Sequence, residues 1–176
     1  MAKDGGPIGI DAKRHRDLAG RSKHVWQRRV GLLVLTAIPV LGLFNVFGQR
    51  THFTRANTQQ AALLVDSPAH VRGGLIFTTQ IVITPHQQLR DARLLLDYGW
   101  FKAMTFNAIS PQPSNEWSSG KWQVLDYGQL PAGIPYHIWV SWQTNPTNIG
   151  RHPQDVALFD GGSQIMVVRR TITVFP

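Results

Sequence analysis

Six tryptophans, five of them in the second half of a 176-residue chain, are the side chains here best suited to act by contact. A flat apolar ring with one N–H can fill a pocket on a partner protein or stack on a sugar. Trp100 and Phe101 follow a glycine, Trp117 stands in the polar stretch QPSNEWSSG, and Trp139 alternates with His137 in YHIWVSW. Strand alternation in that last segment points Tyr136, Ile138, Val140 and Trp142 inward and His137 and Trp139 outward. Trp100, Phe101, Trp117, His137 and Trp139 are therefore the expected interaction surface. Trp117 and Trp122, separated by SSGK, form the expected sugar platform of the alternative reading. The competing expectation for each ring is that it fills a core.

Catalysis has less to work with. His52, His70, His86, His137 and His152 and the acids Asp66, Asp91, Asp97, Glu116, Asp126, Asp155 and Asp160 are scattered singly. No HExxH, GxSxG, phosphate-binding glycine loop or EF-hand spacing joins them. Asp160-Gly161-Gly162 reads as a hairpin turn rather than a calcium loop. With no cysteine, thiolate chemistry and cysteine-ligated metals are excluded. No catalytic residue, cofactor or metal site is assigned, no small-molecule substrate is evident, and the chain is expected not to be an enzyme.

The element that must position everything else is Val30–Phe47, VGLLVLTAIPVLGLFNVF. At about 1.5 Å per residue its 18 residues make a helix of about 27 Å, close to the ~30 Å hydrocarbon core of a bilayer. Pro39 predicts a kink, with Thr36 placed to relieve the lost hydrogen bond. The 29 residues before it carry a net charge of +5 and the remainder +3, so the pI of 10.6 is largely a property of the tail. Nucleic-acid binding by the globular part is thus unsupported. Positive-inside charge puts residues 1–29 in the cytoplasm as a disordered basic tail near anionic lipid headgroups, and the rest outside. A cleaved signal peptide competes, but no small-x-small site follows Phe47 and the basic region is long. A retained, single-pass type II anchor in the cell membrane is expected.

Residues 48–60 read as a polar linker. Residues 61–176 then carry short β-rich runs bounded by Pro, Gly and Asn: AALLVDSP, GGLIFTTQIVITP, ARLLLDYGWF, KAMTFNAISP, KWQVLDYG, PYHIWVSWQTNP, DVALFDGG and QIMVVRRTITVF. No amphipathic helical pattern separates them. The fold class expected is all-β, an antiparallel sandwich of about seven or eight strands. In the last run, adjacent Arg169 and Arg170 must point to opposite faces, which predicts either a bulge or an edge strand, with the edge favoured.

Leu130-Pro131-Ala132-Gly133-Ile134-Pro135-Tyr136 resembles the Leu-x-Pro-Gly-x-x-Tyr turn of fibronectin type III and related immunoglobulin-like domains, with the proline one place early. The resemblance implies a tyrosine corner built from Leu130, Gly133 and Tyr136. Together with VRGGLIFTTQIVIT, GWFKAMTFNAISPQP, DYGQLPAGIPYHIWVSWQTNPT and TITVFP, the layout is similar to small uncharacterised single-pass membrane proteins of actinobacteria with an immunoglobulin-like extracytoplasmic domain. That resemblance implies fold and location and transfers no site residue. The function expected is a non-catalytic, membrane-anchored module docking on another membrane or envelope protein. The alternative is a cell-envelope carbohydrate-binding module.

Overall fold

The computed structural model describes residues 21–43, 50–102 and 104–176, and the chain divides into two units, Met1–Phe47 and Gly48–Pro176. In the first, α1 spans Arg21–Leu43, and Val25–Leu43, 19 residues of mean hydropathy 1.2, is long and apolar enough to cross a membrane. The helix begins nine residues before the expected Val30, so the tail is helical from Arg21. Lys, Arg and Gln are good helix formers, and extending a helix that already exists costs far less than nucleating one. Positions 1–20 and Phe44–Phe47 lie outside the described residues. Pro39 sits inside the helix and cannot donate to the Leu35 carbonyl; Thr36 Oγ1 donates instead to Leu32 O, 2.8 Å away, one turn before the carbonyl that Pro39 frees.

The second unit is the expected all-β, immunoglobulin-like antiparallel sandwich, cut into more and shorter strands. These are β1 (Thr51–Asn57), β2 (Ala61–Pro68), β3 (His70–Arg72), β4 (Ile76–Pro85), β5 (Leu89–Asp97), β6 (Met104–Ser110), β7 (Asn115–Ser119), β8 (Trp122–Leu130), β9 (Tyr136–Thr144), β10 (Gly150–Pro153), β11 (Val156–Asp160), β12 (Ser163–Val168) and β13 (Thr171–Phe175), with a helical turn α2 (Gly99–Lys102). One five-stranded sheet runs β1-β2-β4-β9-β6 and the other β12-β11-β5-β8-β7; β10-β13-β3 form a third, smaller sheet. Alternation buries Leu63, Val65, Ile81, Ile83, Val140 and Trp142 from the first sheet against Leu94, Leu96, Leu125 and Leu158 from the second. Burying such a set supplies the hydrophobic core that a domain without disulfides requires.

Three expectations are corrected. The linker of 48–60 contains β1, which pairs with β2 from Thr51↔Pro68 to Asn57↔Ala62 without a break. In THFTRAN, Ala56 packs on the core while Phe53 and Arg55 alternate outward, so a mostly polar strand finds its place at a sheet edge. The QPSNEWSSG loop contains β7, joined to β8 through a turn in which Gly120 takes φ +60°. The last run breaks in two at Arg169-Arg170, where the chain leaves the second sheet for the third.

That break resolves the two arginines: Arg169 stays in solvent and Arg170 turns inward. Arg170 Nη2 donates to Ser67 O (3.2 Å) and Pro68 O (3.1 Å), and its guanidinium lies 5.3 Å from the centre of the Trp100 ring. Burial holds its pKa down to about 10, with Asp66 opposing the shift.

Candidate interaction surface

The outward residues of the first sheet line up in rows across its strands. The register Phe53↔Asp66↔Gln80↔Trp139↔Ser110 crosses all five, and Arg55↔Leu64↔Val82↔His137 crosses four. With strands about 4.8 Å apart, the longer row extends about 19 Å. Trp139 is 45% exposed and Phe53 55%. The His137 and Trp139 rings stack at 5.6 Å with 15° between their planes, and Gln80 Nε2 donates to His137 Nδ1 at 3.1 Å. The amide and the stacked imidazole hold the indole in place, so little side-chain freedom remains to be lost on binding. Beside them Arg55, Asn57, Ala62, Leu64, Val82 and Thr84 line a depression of about 310 Å³. His86 Nε2 donates to Asn57 Oδ1 at 2.9 Å on its rim. Half-buried aliphatics beside exposed aromatics, edged by Arg, Asn and Gln, make a surface suited to a macromolecular partner.

The other expected surface residues are not brought to this face. Trp100 is fully buried, which corrects its assignment to a binding surface. Asp97 Oδ1 accepts the Gly99 N–H at 2.8 Å and ends β5; the chain turns through α2 and drives Trp100 inward. There it stacks on Trp142 at 5.2 Å and donates from Nε1 to Asp155 O at 3.3 Å. Phe101 is half-buried, edge-on to Trp142 at 5.4 Å. Trp117 and Trp122 lie on the outer face of the second sheet, half-buried around Leu95, Val124 and Ala157. Arg93 stands 5.4 Å over the Trp117 ring and Lys121 4.9 Å over that of Trp122. Those cations occupy a ring face on each, and the platform expected from SSGK spacing is capped by the protein's own side chains.

The turn at Leu130–Tyr136 forms, but not the tyrosine corner. Gly133 takes φ +76° and donates its N–H to Pro85 O at 2.7 Å, and Leu130 is buried. Tyr136 meets Tyr127 edge-on at 5.4 Å, and no hydrogen bond from its hydroxyl to upstream backbone is found among the described residues. Tyr127 has a buried hydroxyl without a partner among them, and burial, reinforced by Tyr136 and Glu116, holds its pKa well above the ordinary phenolic value. Unfolded chains ionise this phenol above about pH 10 while the folded protein resists, so it contributes a loss of stability as pH climbs past 10. Tyr127→Phe is expected to stabilise the domain by about 1 kcal/mol at pH 7, by removing an unpaired buried hydroxyl, and to flatten the alkaline loss. Urea unfolding at pH 7 and pH 10.5 measures both effects.

Among the described residues no group of three His, Asp or Glu is placed to hold a metal ion. No family model matches the chain, and no curated protein does. Among solved structures, a non-cellulosomal cohesin from the archaeon Archaeoglobus fulgidus is 12% identical, with 72% of this chain and 92% of that one aligned at a TM-score of 0.41. CaCohA2 from Clostridium acetobutylicum is 11% identical over 60% of this chain and 86% of that one, at a TM-score of 0.43. A GH20 exo-β-N-acetylglucosaminidase from Vibrio harveyi is 14% identical, aligned over 72% of this chain but 18% of the enzyme, at a TM-score of 0.30. The functional reading is accordingly built on the surfaces themselves.

Of the face around Trp139, sequence reasoning found His137 and Trp139 and missed Phe53, Asp66 and Gln80. The outward Phe-x-Arg alternation of THFTRAN carries a signal for Phe53. Asp66 and Gln80 become neighbours of Trp139 through register alone.

Proposed function

We propose that the chain is a non-catalytic, membrane-anchored interaction module. Its N-terminus lies in the cytoplasm, and its sandwich docks on another membrane or envelope protein through the outer face of the first sheet. The observation that carries this reading is the Trp139 ring, 45% exposed and held flat against His137, whose row continues into half-buried Val82 and Leu64. An anchored aromatic of this kind contributes most when a partner strips its water away. The apolar helix supports the tether, and the excess of positive charge on its N-terminal side supports the orientation.

Trp139→Ala is expected to leave unfolding within about 1 kcal/mol of the parent, because the ring packs on an exposed face, while weakening partner binding about thirtyfold, the equivalent of a ~2 kcal/mol hot spot. Quantitative crosslinking in native membranes against protein level reads the second effect. A partner bound equally well by the variant contradicts the assignment. Carbohydrate binding, the alternative, would rest on Trp139 alone, since Trp117 and Trp122 are capped by cations. A glycan array probed with the full chain separates the two readings.

A further inference from the structure

One end of the sandwich gathers exposed apolar side chains from segments far apart in sequence. Leu75 comes from the β3–β4 connection, Ile76 from the start of β4, Ile149 from the β9–β10 loop and Phe175 from the end of β13, with exposures from 43% to 61%. They converge because the loops are bonded together. Gly73 N donates to Phe175 O (2.8 Å) and Gly74 N to Thr144 O (3.0 Å), while Thr144 Oγ1 reaches Arg72 O (2.7 Å) and Leu75 O (3.1 Å). A Cβ on Gly73 would come within 3.0 Å of Pro146 Cα, so the two loops pack closely there. Phe175 is further held by a stack on His70 at 5.7 Å. The apolar side chains are therefore presented by a braced end.

The exposed charged side chains beside these apolar residues are cations. Arg72, Lys102 and Arg151 are exposed there: Arg72 pairs with Phe175, Asn148 Nδ2 donates to Lys102 O at 3.0 Å, and Arg151 follows Ile149 and Gly150. The two acids nearest α2 are already engaged: Asp97 is buried with Oδ2 3.2 Å from Lys121 Nζ, and Asp155 Oδ1 accepts the Arg170 N–H at 3.1 Å. The first strand starts here too, because Thr51 pairs with Pro68 and β2 runs toward the end of the sheet where Ile76 pairs with Gln143. β1 thus begins at this apolar, cationic end.

We propose that this end is a second docking surface, for an anionic lipid bilayer, with Leu75, Ile76, Ile149 and Phe175 entering the interfacial layer and Arg72, Lys102 and Arg151 facing lipid phosphates. Apolar insertion and cationic attraction are the two forces that hold peripheral surfaces on membranes, and both are present, with the neighbouring carboxylates taken up by Lys121 and the Arg170 amide. The inference extends the anchored reading by giving the domain a fixed posture on the bilayer, and it leaves Trp139, two outward pairs along the sheet from Ile76, for a protein partner.

The chain has no cysteine, so single labels report cleanly. The full chain carrying Ile149→Cys, labelled with an environment-sensitive fluorophore, is reconstituted in nanodiscs of phosphatidylcholine with and without phosphatidylglycerol; Ala132→Cys, in the β8–β9 turn, is the control. Docking predicts blue-shifted emission and quenching by nitroxide lipid at 149 in anionic discs, and neither at 132. Changing Arg72 and Arg151 to Glu should lower the docked population at least fivefold per cation removed, the factor equivalent to ~1 kcal/mol per basic residue at an anionic surface. Aqueous emission at 149 in anionic discs overturns the proposal. So does shielding that is equal in zwitterionic discs or detergent, which marks a protein contact or a second copy. A chain that stays out of discs altogether refutes the anchor instead; vesicles of the same lipids added to it then read docking from the same label.

Discussion

Replacing Gly99 with alanine is expected to cost the domain at least about 3 kcal/mol, the largest effect of a glycine-to-alanine change among the described residues. Gly99 opens α2, fully enclosed, with its N–H on Asp97 Oδ1. A Cβ there would overlap the carbonyl oxygen of Pro153 and press on its Cγ at 3.0 Å. The obstacle is the backbone of β10, which cannot rotate out of the way as a side chain could, and Pro153 is itself paired with Thr171 of β13. Relief means moving α2, and α2 carries Trp100 into the core. Gly162→Ala is the matched control, since its Cβ would meet nothing within 4 Å and it is not among the positive-φ glycines; there the change should stay within about 0.5 kcal/mol. Thermal unfolding of the two variants should separate them by roughly 10 °C for a domain of this size. A Gly99→Ala midpoint within 2 °C of the parent would mean that α2 does not sit against Pro153 as described.

The second large effect is expected at Trp142. Its ring is fully buried and is the hub of an aromatic cluster, stacked on Trp100 at 5.2 Å and met edge-on by Phe101 at 5.4 Å and Phe106 at 5.6 Å. Truncation to alanine removes about 200 Å² of buried ring surface and three favourable ring contacts, and leaves a cavity that packed strands cannot close. The expected loss is about 3–5 kcal/mol, near the whole stability of a marginal domain. Trp142→Phe should cost less than half as much, because it keeps most of the packing and discards an indole N–H that has no partner among the described residues. Chemical denaturation of both variants measures the difference. Equal losses would indicate that the indole nitrogen is bonded after all.

Trp142 and Trp100 also show what the chain declares about itself and what it conceals. Trp142 could be assigned to the core because YHIWVSW alternates strictly, and period two on a half-buried strand leaves no choice of face. The same alternation placed His137 and Trp139 outside. Trp100 could not be read this way, because its direction depends on Asp97 capturing the Gly99 amide and ending β5. The strand content of 61–176 was visible in its β-branched and aromatic runs. β1 and β7 were hidden because an edge strand needs few apolar residues: Ala56 in one and Trp117 in the other suffice. The Arg169-Arg170 conflict was legible, and its resolution, a change of sheet with Arg170 drawn to the carbonyls of Ser67 and Pro68, depends on contacts more than a hundred residues apart in sequence. The Trp139 face was half legible for the same reason, since rows across five strands are created by register, and register is set by how segments far apart in sequence meet.

The claim that the outer face of the first sheet binds a protein is tested most directly by photo-crosslinking the full chain in its native membranes from single positions. Benzoylphenylalanine at Phe53 and at Ser141, two residues beyond Trp139 on the same outward face, should each give one discrete adduct of the same mass. The same group at Ser118, on the second sheet, should give none, and Trp139→Ala should abolish the adduct from Phe53. Monomer alone at all three positions, or adducts from Ser118 as abundant as those from Phe53 and Ser141, would contradict the account.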